Sequence, residues 1–459
     1  MTPGHIAVID IGKTNAKLAL VDTADLSEID VTTWPNTVLA GPPYPHFDTE
    51  AIWDFLLQGF ARFHQTYGID AISVTTHGAS GALLTADGEL AAPILDYEHS
   101  GPDTVTKAYD AMRPDFAETG APRLPMGLNL GAQLHWQFGE DPTLLDRTAH
   151  IVTYPQYWSH RLTGALATDV TSIGCHTDLW NPYTGAFSPL VDRLGIRDKI
   201  APARKSAEVL GTLLPQVAAT TGLEPDTPVY CGIHDSNASL LPHVLRREPP
   251  FSVVSTGTWV IVMTMGGTAV PLDPARDTLV NVNALGRPVP SARFMGGREY
   301  EIIRAGHTAE YDAATRDAVV EQGLMLLPSV MSDYGPFQGR HHRWIGTEPG
   351  QNTAERSAVL SLYLAMMTSE CLLLTGHRGA IVVEGPFARN EGYCQMLAVA
   401  TGAQVVTSKA ATGTGQGAAM LALNPKTMPR VDAGHTYLPK DCADHVAYAK
   451  AWRRAVTQG

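Results

Sequence analysis

Three short stretches of the chain carry residue types whose order suits phosphate chemistry. Asp10-Ile11-Gly12-Lys13-Thr14-Asn15 sets a glycine, a lysine, a hydroxyl and an amide directly behind a carboxylate. A turn of that composition can aim several N–H groups and side-chain donors at one point, as a polyphosphate requires. The carboxylate can hold Mg²⁺ through water, because that ion keeps much of its hydration shell. Ser255-Thr256-Gly257-Thr258 has the same character much further along. The third stretch, Gly232-Ile233-His234-Asp235-Ser236, places an aspartate at what reads as a helix start, where it could accept the proton of an attacking hydroxyl. Each has a plainer reading. Hairpin turns are rich in such residues anyway, and an aspartate heading a helix is a common cap worth ~1 kcal/mol.

The elements around these stretches are legible from apolar spacing. Ile6 to Ile11 and Leu18 to Val21 predict two strands around a small turn, and Phe251 to Met263 repeats that hairpin. Between Glu50 and Tyr67, Ile52, Phe55, Leu56, Phe60 and Phe63 recur at helical spacing, with Asp48 or Thr49 as N-cap. Ala71 to Val74 reads as a buried strand that resumes at Ala82 to Leu84 after the loop His77-Gly78-Ala79-Ser80-Gly81. Val229 to Ile233 is a strand leading into a helix from Asp235. Ala358 to Thr375 is an apolar helix, followed by strand Ala380 to Val383, helix Gly392 to Ala400 and strand Gln404 to Val406. Alternation of this kind predicts an α/β protein with helix-covered sheets, and the repeated hairpin predicts two related lobes.

Bulk properties narrow the function. The 459 residues suggest two or three domains at roughly 150 each, and 44% hydrophobic with 17% charged residues is an ordinary globular balance. A formal charge of −13 argues against a nucleic-acid surface. Nothing reads as membrane-spanning, because no apolar run reaches the ~18 residues a helix needs to cross a bilayer, and the N-terminus lacks a signal-peptide pattern. Cys175, Cys231, Cys371, Cys394 and Cys442 have no metal or redox spacing, so reduced, mostly buried thiols in a cytoplasmic protein are expected. Asn237-Ala238-Ser239 is a glycosylation acceptor only in a secreted chain. The oligomeric state stays open, a homodimer included.

Taken in order along the chain, these motifs resemble the FGGY family of carbohydrate kinases, within the actin, hexokinase and Hsp70 superfold. Ile6 to Asn15 resembles its first phosphate hairpin, and Gly232 to Ser236 its Gly-x-x-Asp base segment. Ser255 to Trp259 resembles its second phosphate hairpin, and Glu384 to Asn390 with Gln395 its adenosine segment. Trp158 to Gly164 and Gly415 to Ala422 add weaker matches. The resemblance implies two actin-like, ribonuclease H-like lobes, each a mixed sheet flanked by helices, with the active site in the cleft between them. Residues 1–245 would be the sugar-binding lobe with the first phosphate hairpin and the base. Residues 246–459 would be the nucleotide-binding lobe. It further implies ATP and a small sugar as substrates, Mg²⁺ at Asp10, and Asp235 as base. Nucleotide contacts fall on Gly12, Lys13, Thr14, Asn15, Thr256, Gly257, Thr258, Gly385 and Asn390. Sugar contacts fall on His77, Gly78, Glu98, His234 and Asp235.

The chain also departs from the family. Relatives commonly show an aromatic, an Asp and then an Arg after the apolar stretch at Pro93-Ile94-Leu95; here Glu98 stands for the Asp and Ser100 for the Arg. Pro386 replaces a glycine in the adenosine segment and removes one N–H. His234-Asp235-Ser236 and Ser255 to Trp259 resemble the rhamnulokinase branch, which implies a ketose such as L-rhamnulose or L-fuculose. The stretch Arg293 to Tyr300 does not match that branch. Kinases for ribulose, xylulose, erythritol, glycerol or a sugar acid are rivals. So is a non-catalytic sugar- or nucleotide-binding regulator, because fold alone does not assign chemistry.

Overall fold

A computed structural model describes residues 3–307, 309–408, 413–426, 428, 433–439 and 442–458. The chain divides into two units. The first comprises Met1–Arg246, Val280–Pro288 and Thr412–Arg430; the second comprises Arg247–Leu279, Val289–Ala411 and Val431–Gly459.

The first unit is built on the opening hairpin. Strands His5–Ile11 and Asn15–Asp22 pair antiparallel, and Glu28–Pro35 extends the sheet beyond the second. Ala71–Thr76 lies parallel to the first strand, and Pro228–Tyr230 and Ile233–His234 run parallel to Ala71–Thr76. Ile6, Ala7, Val8 and Ile9 are wholly buried, as expected of a strand covered on both faces. The helix Thr49–Tyr67 is capped by Asp48, which accepts the Ala51 N–H, and it buries Ile52, Leu56, Phe60 and Phe63 against the sheet. Gly81–Leu84 leaves the main sheet to pair with His150–Thr153, a partner the sequence did not suggest.

The second unit repeats that scheme. Phe251–Thr256 and Val260–Met265 form an antiparallel hairpin, Pro288–Phe294 adds to the second strand, and Ala380–Glu384 runs parallel to the first. Val405–Ser408 follows in parallel. The two mixed sheets bear out the expected α/β architecture with actin-like repetition.

One helix of the second unit is unusually apolar. The helix Ala354–Leu374 is long and apolar enough, by length and composition, to cross a membrane: an 18-residue window has mean hydropathy 1.6. Scattered Ser and Thr residues interrupt a strict apolar run while leaving that mean high. Here 83% of the window is buried within the protein, inside the core that also holds Tyr393, Leu397 and Trp452. All-round hydrophobicity is what a helix at the centre of a unit requires. Four of the five cysteines are buried and, among the described residues, none is joined in a disulfide; Asn237 is buried within a helix.

Candidate active site

Asp235 is positioned by strand register. Ile233 and His234 pair in parallel with Thr75 and Thr76, which sets His234-Asp235 beside His77-Gly78. The chain turns into that pairing at Gly232, whose φ of +99° is rarely adopted by residues with a side chain. Asp235 opens the helix Asp235–Arg246 and is partly exposed. Its Oδ1 accepts the Ser236 N–H at 2.5 Å and lies 3.1 Å from His234 Nε2. Gly78 makes room for that imidazole, since a Cβ there would stand 2.8 Å from His234 Nε2. Asn237 Nδ2 lies 3.5 Å from His234 Nδ1, so the amide faces the acceptor nitrogen and the ring proton sits on Nε2, toward the carboxylate. Burial lowers His234 to about 4, which keeps it a neutral donor. Burial raises the carboxyl of Asp235, opposed by its neighbours His77 and Ser236. A carboxyl raised in this way is the better proton acceptor.

His77 completes this corner. It is 6% exposed, and its ring centroid lies 5.1 Å from those of Phe47 and Tyr97 and 4.9 Å from that of Tyr154. Nδ1 donates to the Gly78 carbonyl at 2.8 Å. Nε2 is buried and has no partner among the described residues. Burial lowers this ring too, to about 4, so Nε2 is an acceptor waiting for a hydroxyl.

The first turn sits in the same unit. Gly12 N–H donates to the Asn15 carbonyl at 2.9 Å, and Asn36 Nδ2 holds the Gly12 carbonyl at 2.8 Å. Thr14 and Asn15 are exposed at its tip. Asp10 Oδ2 accepts the Thr414 hydroxyl at 2.7 Å and lies 3.6 Å from Lys17 Nζ, which also pairs with Glu28. Burial raises the Asp10 carboxyl, Thr414 and Lys17 oppose that, and the Asp235 charge adds to it. Lys13 leaves the turn sideways. Its ammonium meets the Asp96 carboxylate and lies 3.2 Å from Glu98 Oε2, among the rings of Tyr97 and Phe47.

The second unit holds the remaining predicted residues. Gly257 N–H closes the turn on the Trp259 carbonyl at 2.9 Å, and Thr258 is exposed at the tip. The Thr256 hydroxyl donates to the Glu384 carbonyl at 2.6 Å and accepts the Phe387 N–H at 3.1 Å, so it ties this turn to the Gly385 loop. Gly385 has φ +84° and approaches so closely that a Cβ would fall 2.0 Å from the Thr256 carbonyl oxygen. Pro386 takes the first position of the 3₁₀ turn Pro386–Arg389, where its missing N–H would have had no intrahelical partner. Beside this loop opens a cavity of about 600 Å³, lined among others by Tyr300, Arg304, Tyr311, Arg316, Phe387 and Asn390. That volume and its mixed aromatic and polar lining suit a nucleoside. The Asn390 amide is engaged within the protein. Oδ1 accepts the Tyr393 N–H and the Tyr311 hydroxyl, each at 3.0 Å, and Nδ2 donates to Ser361 at 2.8 Å.

The fold thus gathers Asp10, Gly12 to Asn15, His77, Gly78, Glu98, His234 and Asp235 in one unit, and Thr256 to Thr258, Gly385 and Asn390 in the other. Sequence reasoning passed over Lys17, Asp96, Tyr97 and Thr414 in the first. Lys17 was within reach, because a tight hairpin places it opposite Asp10. It also passed over Tyr300, Arg304, Tyr311 and Arg316 around the cavity, which no local pattern marks.

Comparison with known proteins agrees with this geometry. Residues 5–242 match the N-terminal domain of the FGGY family of carbohydrate kinases, and residues 248–430 match carbohydrate kinase FGGY, C-terminal domain. The crystal structure of a carbohydrate kinase from Novosphingobium aromaticivorans is 37% identical, covers 98% of this chain and 100% of its own, and has a TM-score of 0.91. L-fuculokinase from Salmonella typhi is 27% identical over 284 residues, 57% of each chain. Rhamnulokinase from Pectobacterium atrosepticum is 25% identical over 275 residues, 57% of this chain and 53% of its own. The matches to these two curated relatives therefore span little more than half of their length. With its first domain match alone covering more than half of its residues, this chain belongs to the FGGY family of carbohydrate kinases.

Proposed function

We propose that the protein transfers the γ-phosphoryl group of ATP to a hydroxyl of a small sugar, a ketose such as L-rhamnulose or L-fuculose, with Asp235 as base. The observation that carries this reading is the setting of Asp235. A partly exposed carboxylate is fixed by Ser236 N–H and by a neutral His234, next to an unpartnered imidazole nitrogen on His77. Such a group is suited to removing a proton from a bound hydroxyl.

In the proposed reaction the substrate hydroxyl gives its proton to Asp235 as its oxygen bonds to the γ-phosphorus. The bond from that phosphorus to the bridging oxygen breaks, and ADP leaves. Phosphoryl transfer depends mainly on positioning and charge compensation. His77 and Glu98 orient the sugar, with Gly78 giving His234 room to hold the base. Gly12, Thr14 and Asn15 in one turn and Gly257 and Thr258 in the other are phosphate contacts, Thr256 and Gly385 set the second turn, and Asn390 braces the nucleoside cavity. Asp10 fits Mg²⁺, because one carboxylate suffices for an ion carried largely by water and phosphate. The ion would supply charge neutralisation on the phosphates. Similarity to L-fuculokinase and rhamnulokinase supports the ketose. A coupled ADP-release screen over L-rhamnulose, L-fuculose, ribulose, xylulose, erythritol and glycerol tests the reading. Stimulation by a 6-deoxyketose above the others is expected, and no stimulation over water by any of them would end it.

A further inference from the structure

Lys13 belongs to the phosphate-type turn by sequence, yet its side chain is committed elsewhere. Its ammonium contacts Asp96 Oδ1 and lies 3.2 Å from Glu98 Oε2, with Nζ 4.9 Å from the Tyr97 ring centroid and 5.3 Å from that of Phe47. The same two rings flank His77, whose buried Nε2 lacks a partner among the described residues. Asp235, Glu98 and Asp96 all act electrostatically on the Tyr97 phenol, so the three carboxylates share one neighbourhood.

We propose that Lys13, Asp96 and Glu98 form a charge-matched rack that admits an uncharged polyhydroxy substrate to Asp235 and rejects a sugar acid. The proposal rests on the kinase reading of this site and adds the substrate's charge class to it.

The argument is one of charge and reach. Asp96 and Glu98 both engage the Lys13 ammonium, and Asp235 adds a third negative charge to the neighbourhood. Both imidazoles are kept neutral by burial and add no positive charge. Ser100 contributes none either. A substrate carboxylate entering here would lose hydration and meet like charges, with the Lys13 ammonium already engaged. A neutral polyol meets complementary groups instead. Its hydroxyls can donate to Asp96, Glu98 and His77 Nε2, and they can accept from Lys13. The Lys13 and Asp96 side chains are 21% and 10% exposed and Glu98 is 55% exposed. The first two therefore form a fixed wall, and Glu98 is the member free to adjust.

The test compares a panel of neutral ketoses and polyols with the corresponding sugar acids, by ADP release and by calorimetric binding to the intact protein. The wild type should favour its best neutral sugar over every acid by at least about a hundredfold in kcat/KM or in binding constant. Asp96→Asn combined with Glu98→Gln uncovers the ammonium and should reduce that ratio at least about tenfold, the scale of one unbalanced charge at partly buried range. Lys13→Met should leave acids excluded. A wild type that takes an acid within about tenfold of its best neutral sugar, or a double variant with an unchanged ratio, would overturn the proposal. If the double variant fails to fold, the wild-type ratio and its Lys13→Met counterpart still decide. Absence of turnover with every compound would defeat the kinase reading alone, because the binding ratio would still report on the rack.

Discussion

Gly297 offers a sharp test of how the second turn is held. It follows the first residue of the helix Gly296–Arg304, and its N–H donates to the Thr258 carbonyl at 3.2 Å. A Cβ at this position would stand 2.1 Å from the Gly257 carbonyl oxygen, 2.9 Å from its carbon and 3.0 Å from Thr258 Cα. All three are backbone atoms, so no side chain can swing aside. Restoring ordinary contact at 3.4 Å needs roughly 1.3 Å of movement between helix and turn. The helix is the stiffer side: Glu299 is fully buried and bonded to the Tyr363 hydroxyl and the Met331 N–H. The turn must therefore yield. Overpacking of this kind costs ~1–3 kcal/mol, or roughly 2–12 °C in the midpoint of this unit. Misplacement by about 1 Å can lower catalysis up to ~100-fold. Gly297→Ala should thus raise the KM for ATP and lower kcat/KM for ATP, with the KM for sugar at saturating ATP unchanged. Gly139→Ala, with nothing within 4 Å of the added atom, is the control. If Gly297→Ala kept wild-type stability and ATP kinetics, the reasoning would be wrong.

Two further outcomes follow from the same geometry. Asn390→Ala removes the acceptor for the Tyr393 N–H and for the Tyr311 hydroxyl, and should cost ~1–2 kcal/mol in urea unfolding; Asn390→Asp, which keeps the acceptor, should cost less, and equal stability of all three proteins would refute the bracing role. His234 is held at about 4 against an ordinary 6.5, so between those values the unfolded chain binds a proton there that the folded chain does not. Its contribution to stability is therefore lost as pH falls through that window, with a slope of about 1.4 kcal/mol per pH unit for one proton. His234→Asn should flatten the dependence of stability on pH by up to that amount, and identical slopes would show that the ring is not buried neutral.

Local patterns made much of this protein readable. The hairpin Ile6 to Val21, the helix capped by Asp48 and the strand Ala380 to Val383 were legible because burial follows a fixed period. Asp235 was legible because glycine and aspartate mark a turn into a helix whatever surrounds them. What stayed hidden depends on contacts between distant segments. Gly81–Leu84 looked like a continuation of the main sheet, yet it pairs with a segment some way downstream. Lys13 carried every local sign of a phosphate ligand, while its destination is set by Asp96 and Glu98 on another loop. The Thr256 hydroxyl read as a nucleotide contact and is spent on the Glu384 carbonyl and the Phe387 N–H. The aromatic and arginine lining of the cavity beside Gly385 is assembled from two stretches that have no shared motif.

The most direct test of the central claim is single-turnover phosphoryl transfer by Asp235→Asn beside the wild type, across pH. The amide keeps the shape and the Ser236 contact but cannot take a proton. The chemical step should fall by ~10²–10⁴, with binding of the sugar largely kept. The wild-type rate should decline as pH falls through a value above the ordinary 3.8, since the carboxyl is raised by burial and must be ionised to act. A variant that transfers phosphate at the wild-type rate, or a wild-type profile flat down to pH 3.8, would contradict the assignment of Asp235 as the base.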